Sequence, residues 1–329
     1  MESHPPTAPV PERDFSTLVA RLIEGDARAL ARAISLVEND APEAPALLSA
    51  CFPHTGKALR IGITGAPGAG KSTLVDRLAG RWRDAGKSVG VIAVDPTSPF
   101  TGGAILGDRI RFQDCHNDPG FYARSMGTRG SLGGLAQATA DVALLIEASG
   151  KDVLLIETVG VGQDEIEIAR LADVTLVVLV PGMGDDVQSL KAGVMEIADI
   201  FVINKSDRDG ADRVEQEIRA LQSLAQSHTD WIPPVMRTIA TTGDGIYRLS
   251  EAIAKWEEWT GQYNRLAARR ARHWQLRLDA MLRAELMRRA RRRGLTESEF
   301  AEHAARIAAG DEDPWKLIPE LARKVLEEK

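Results

Sequence analysis

A chain of 329 residues exceeds one typical domain, so an α/β core with added elements is expected. The composition is 44% hydrophobic and 27% charged, ordinary for a soluble protein with a substantial core, and the net charge of −6 argues against binding nucleic acid or a membrane surface through overall charge. Two cysteines, Cys51 and Cys115, give no metal spacing or disulfide framework, and no apolar run reaches the roughly 18 residues that span a bilayer.

The opening MESHPPTAPVPERD carries four prolines and no apolar signal core, so a disordered tail over residues 1–13 and a cytoplasmic location are expected. Phe15, Leu18, Leu22, Leu30 and Ile34 then recur at helical spacing, and a second short helix is expected from Pro42 to Cys51. From Leu59 the texture changes. LRIGIT (59–64), VGVIAV (89–94), VLLIE (153–157), VTLVVLV (174–180) and IFVIN (200–204) are compact apolar runs, with further strands expected near Phe121 and Val235. Runs apolar on both faces and separated by helix-length segments predict a mostly parallel sheet flanked by helices. The segment from Gly261 to Arg293 holds eleven arginines against two acids, with Trp274, Leu278, Met281 and Leu282 on one helical face. Thr296 and Glu299 then form a capping-box pattern, and another helix should begin near Asp313–Pro314. The expected organisation is a tail at 1–13, an N-terminal helical extension at 14–57, an α/β domain at 58–260 and a C-terminal helical region at 261–329.

Gly65-Ala66-Pro67-Gly68-Ala69-Gly70-Lys71-Ser72-Thr73 contains GxxxxGK[ST] directly after the strand LRIGIT and before a helical pattern. The glycines let backbone N–H groups curl around phosphate oxygens, and the helix N-terminus adds positive potential. Lys71 is expected to bridge the β- and γ-phosphates and Ser72 to supply a hydroxyl to magnesium. A chance glycine-rich turn lacks this strand–helix context.

Asn204-Lys205-Ser206-Asp207 follows the strand IFVIN. A carboxylate at Asp207 accepts from the N1–H and exocyclic amino groups of guanine. Adenine lacks that donor pair, which costs roughly 1–3 kcal/mol. Asn204 would fix the loop, the Lys205 stem would lie along the base, and Ala240-Thr241 would contact the guanine oxygen through the backbone. The expected ligand is therefore GTP or GDP.

Asp95 ends VGVIAV and opens the long loop PTSPFTGGAILGDRIRF, which holds Asp108. Ligands bind at such strand ends, so Asp95 is a candidate for magnesium or for the attacking water, and Asp108 a weaker one; a capping or surface aspartate is the plain alternative for each. Glu157 opens Glu157-Thr158-Val159-Gly160, where many GTPases place an aspartate that reaches magnesium through water and a glycine whose N–H senses the γ-phosphate. Lys71, Asp95 and Glu157 are thus the expected catalytic residues. Val161 stands where Ras-like enzymes keep a water-orienting glutamine, so slow intrinsic hydrolysis is expected unless Gln163, Asp95 or a partner supplies the polar group. Pro181 to Gln188 is a candidate movable loop.

GITGAPGAGKST, AVDPTSPFTGGAILGDRIR, GTRGSLGGLA, ETVGVGQDE, PGMGDDVQSLKAGVMEIADI and NKSD together resemble the MeaB/ArgK family, P-loop GTPases associated with methylmalonyl-CoA mutase. The resemblance implies a homodimer, with the basic C-terminal helix in the dimerisation arm. It implies a chaperone that gates cofactor loading onto the adenosylcobalamin-dependent mutase and protects that enzyme from inactivation. Asp95, Asp108 and Glu157 would coordinate or sense Mg2+ beside Ser72, and the 182–188 loop, with Lys191 beyond it, would communicate with the mutase. A nickel metallochaperone would need more than the Cys115-His116 pair. A kinase would need an acceptor pocket and a base, and an RNA-associated GTPase a basic surface with interleaved aromatics. Neither a nucleic-acid nor a membrane partner is expected.

Overall fold

The computed structural model describes residues 15–95, 118–127, 134–158, 164–182, 196–224 and 230–326. Two compact units emerge, Met1–Leu266 and Ala267–Lys329.

The first unit is built on seven parallel strands: β1 (Leu59–Gly65), β2 (Val89–Asp95), β3 (Phe121–Gly127), β4 (Val153–Thr158), β5 (Val174–Leu179), β6 (Ile200–Asn204) and β7 (Val235–Thr238). Their order is β3-β2-β4-β1-β5-β6-β7, and every pairing is parallel. The central β1 pairs with β4 on one side and β5 on the other. The chain leaves β1 toward β2 and later crosses to β5, which makes the carboxyl end of β1 the switch point where such sheets bind ligands.

The unbroken apolar runs are explained by burial on both faces. Ile61, Ile63, Leu155, Leu176 and Val202 point into one core, which α4 (Lys71–Asp84) and α8 (Ile246–Gly261) close with Leu74, Leu78, Leu249, Ile253 and Trp256. The alternate residues Ile92, Leu154 and Ile156 point into a second core, and Val177, Phe201 and Ile203 into a third under α7 (Ala211–Leu224). A period of two with both faces covered reads as continuous hydrophobicity.

The second core is completed by α5 (Gly134–Ala148), α6 (Asp164–Leu171) and three helices that precede the sheet: α1 (Ser16–Ile23), α2 (Ala27–Glu38) and α3 (Ala44–Cys51). The helical spacing from Phe15 to Ile34 is interrupted where one stretch was expected. Gly25 takes φ +86°, and Asp26 caps α2 by accepting from the amides of Arg28 and Ala29 at 2.8 and 3.1 Å. Such a cap stabilises a helix start by about 1 kcal/mol. The buried Glu147 carboxylate pairs with the partly buried Arg60 and also accepts from the Gly56 amide at 2.7 Å.

In the second unit, α9 (Arg265–Arg292) continues from the first and is followed by α10 (Glu297–Ala309) and α11 (Pro314–Leu326). Both arms of the capping box at the start of α10 are made: the Glu299 amide donates to Thr296 Oγ1 at 3.3 Å, and the Thr296 amide to Glu299 Oε2 at 3.1 Å. Leu278, Met281, Leu282 and Leu286 are exposed along α9. Among the described residues, no helix is long and apolar enough to cross a membrane.

Candidate nucleotide site

β1 runs out at Gly65 and α4 begins at Lys71, so the residues between them form a tight loop at the switch point. Gly65 takes φ +140°, and a Cβ there would sit 2.1 Å from the Val178 carbonyl oxygen on β5. Gly70 takes φ +84°, and its added Cβ would meet Asn204 Nδ2 at 2.5 Å. Both positions therefore need glycine for conformation and for space.

Lys71 is buried, and its Nζ donates to the carbonyls of Gly65 and Ala66 at 2.7 and 2.9 Å. The ammonium is held inside the loop's curve, where phosphate oxygens would meet the helix N-terminus. Ser72 Oγ donates to Glu157 Oε1 at 2.6 Å, which brings the first turn of α4 against the end of β4. Below them, Thr158 Oγ1 bonds Thr64 Oγ1 at 3.1 Å. A cleft of about 320 Å³ opens here, lined by Pro67, Gly70 and Lys71 on one side and by Ala93, Glu157 and Thr158 on the other.

Asn204 ends β6 and is buried. Its Nδ2 donates to the Ala69 carbonyl at 2.8 Å, while its Oδ1 accepts from Thr238 Oγ1 and from the Ala240 amide, each at 3.1 Å. The Ala240 amide can only donate, which fixes the orientation of the Asn204 side chain. Lys205 takes φ +55°, a left-handed conformation uncommon outside glycine, and its Nζ donates to the Gly68 carbonyl at 2.7 Å. Asp207 lies exposed in the turn that follows, and Thr241 is exposed after Ala240.

The structure thus brings Lys71, Ser72 and Glu157 into one cleft, and ties Asn204, Lys205 and Ala240 by hydrogen bonds to the loop from Gly65 to Gly70. Asp95 closes β2 opposite Gly127, and its side chain falls outside the described residues. Asp108, Cys115, His116, Gly160, Val161, Gln163, Lys191 and the loop beyond Gly182 also lie outside them. Thr64, Thr158, Thr238 and Arg77 also bond within this framework. These are single polar residues inside otherwise ordinary strands and helices, and no local pattern marks them.

The donor set suits magnesium. The Ser72 hydroxyl and Glu157 carboxylate are hard oxygen ligands in direct contact, and Mg2+ is usually held by one or two protein oxygens together with substrate phosphates. Among the described residues, no cluster of three or more His, Cys, Asp or Glu side chains could hold a metal by itself.

The family model for the methylmalonyl-CoA mutase-associated GTPase MeaB matches residues 30–294. A Pyrococcus abyssi relative named as a GTPase is 46% identical over 312 residues, covering 94% of this chain and 96% of its own. The GTPase ArgK of Escherichia coli is 41% identical over 250 residues, covering 74% of this chain and 76% of its own. A crystal structure described as an LAO/AO transport system kinase superposes with a TM-score of 0.71 at 28% identity, covering 97% of this chain and all of the other. The chain belongs to the MeaB family and is a P-loop GTPase.

Proposed function

We propose that this GTPase is a cytoplasmic chaperone for an adenosylcobalamin-dependent methylmalonyl-CoA mutase, and that it uses slow, partner-stimulated GTP hydrolysis to gate cofactor loading and protect the mutase from inactivation. The family description, which names association with that mutase, supports the choice of partner. The observation that carries the nucleotide half is the joining of two loops: Asn204 and Lys205 bond to Ala69 and Gly68 of the phosphate loop.

In this reading the loop amides from Gly65 to Thr73 cradle the phosphates, and Lys71 exchanges its carbonyl contacts for β- and γ-phosphate oxygens. It then stabilises negative charge that grows as the γ-phosphoryl group leaves. Ser72 and Glu157 would hold Mg2+, with Asp95 and Asp108 as further candidates, and the bound ion would neutralise charge between the β- and γ-phosphates. Gly160 would sense the γ-phosphate. Asp207 would accept from N1–H and the amino group of guanine, while Asn204 keeps the turn in place. The loop beyond Gly182, with Lys191, would carry the nucleotide state to the mutase. The exposed apolar face of α9 suits a homodimer, because Leu278, Met281, Leu282 and Leu286 lie in a helical stripe.

The test is GTP turnover by the purified protein with and without methylmalonyl-CoA mutase at equal concentration. A large acceleration specific to the mutase is expected. Unchanged turnover with GTP still tightly bound would keep the GTPase and remove this partner.

A further inference from the structure

The segment after β7 holds one residue at both ends. The Ala240 amide donates to Asn204 Oδ1 at 3.1 Å, and the Ala240 carbonyl accepts from Arg77 Nε at 3.0 Å. Arg77 Nη2 donates to the next carbonyl, that of Thr241, at 2.9 Å. A guanidinium is a rigid planar fork, so two bonds from one edge fix the acceptors' orientation as well as their distance. Arg77 sits six residues after Lys71 on α4, carried by the helix whose first turn is the phosphate site. One turn farther, the Arg81 guanidinium lies 5.2 Å from the centre of the Tyr247 ring on α8. The segment itself is closed by bonds from the Thr242 and Gly243 amides to the Ile239 carbonyl at 3.1 and 2.9 Å.

A trans peptide group is planar, and its C=O and N–H point in opposite directions. Holding the Ala240 carbonyl against Arg77 therefore aims the Thr241 N–H away from α4. That amide has no hydrogen-bond partner among the described residues, and Thr241 is exposed. Guanine carries an acceptor oxygen at position 6 where adenine carries a donor amino group, so a fixed N–H there accepts one base and repels the other.

We propose that Arg77 is a specificity-determining positioning residue: by clamping the carbonyls of Ala240 and Thr241, it presents the Thr241 N–H to the 6-oxygen of guanine. The proposal rests on the base site read above. It divides recognition between the Asp207 carboxylate, which takes the donor edge of the base, and a backbone donor that takes the acceptor.

The probe is 6-thioguanosine diphosphate, which keeps the N1–H and amino group but replaces the 6-oxygen with a weakly accepting sulfur. The full-length protein should bind GDP about 10-fold more tightly than the thio analogue, the scale of one hydrogen bond. Arg77→Ala should weaken GDP by a similar factor, leave the analogue nearly unchanged and so close the gap, and Arg77→Lys should reopen part of it. In turnover the change should fall on KM rather than kcat, because the base lies far from the transferred phosphoryl group. Equal weakening of both nucleotides would overturn the proposal and leave Arg77 a structural tie. If circular dichroism shows Arg77→Ala unfolded, Arg77→Gln and Arg77→Lys carry the same comparison. An intact gap in folded Arg77 variants sinks the Arg77 assignment alone. A wild-type protein that binds GDP and the analogue equally overturns the base-site reading along with it.

Discussion

The two compact units solve the burial problem in opposite ways. In the first, alternate residues of β2, β4, β5 and β6 enter different cores, and helices close both faces of the sheet. In the second, apolar side chains along α9 remain exposed, with Leu278 and Leu282 each 59% accessible and Trp315 of α11 at 87%. The first unit carries its own core, so its conformation is set by packing within it, and a small distortion near the switch point is felt strongly. The second buries Ala290, Leu295 and Leu317, and along α9 it pairs charges at the surface, such as Arg289–Glu285 at 2.8 Å and Arg283–Asp279 at 3.0 Å, contacts of the solvent-screened kind that add little. A surface of that kind is suited to receive another protein.

The contrast is broken most severely at Gly65. Gly65→Ala adds a Cβ against the Val178 backbone at a positive φ, and a loss of about 3 kcal/mol or more is expected in urea denaturation. An unchanged midpoint would contradict the tight approach of β1 to β5. Lys71→Ala should leave the fold largely intact while weakening GTP by about 3 kcal/mol, roughly 100-fold in Kd by titration calorimetry. Retained wild-type affinity would move the phosphate site elsewhere. Asp207→Asn should shift preference from guanine to xanthine nucleotides by about 1–3 kcal/mol in competition binding. An unaltered ranking would count against the base turn.

The second unit is expected to respond differently. The pair Leu278→Glu and Leu282→Glu should change monomer stability by about 0.5 kcal/mol or less, since both side chains are exposed, yet abolish self-association in sedimentation. A dimer that survives both changes would mean this stripe is not the contact. The smallest effect is in acid. The His303 contact at 2.8 Å, followed by Arg306, holds the Glu312 carboxyl below its ordinary value of 4.5. A depressed carboxyl stabilises the fold above that ordinary value, and the contribution is lost as pH falls through the folded value. Glu312→Gln should therefore lower the melting temperature slightly at neutral pH and match wild type in strong acid. The opposite trend would refute the pairing.

The strands were legible because burial on both faces leaves unbroken apolar runs in the sequence. Lys71, Ser72 and Glu157, drawn from two separate motifs, fall beside one cleft for a similar reason: each motif is anchored to a strand end, and the strand ends converge. The helix break at Gly25–Asp26 was harder to see, since apolar spacing continues across it and only the Asp26 cap separates the two helices. Arg77 was invisible. Its partners are carbonyls more than 160 residues away in the chain, and a backbone acceptor leaves no mark in the sequence of either segment.

The bonds from Lys205 and Asn204 to the phosphate loop have a consequence for how tightly a nucleotide is kept. They hold two modest recognition sites at a fixed separation, so the halves of a nucleotide bind as the two ends of a chelate with a high effective concentration. A base or a phosphate chain presented alone forfeits that multiplication and should bind far more weakly than half the combined free energy suggests. Release begins when one end lets go, and it is completed only if the other follows before the first returns.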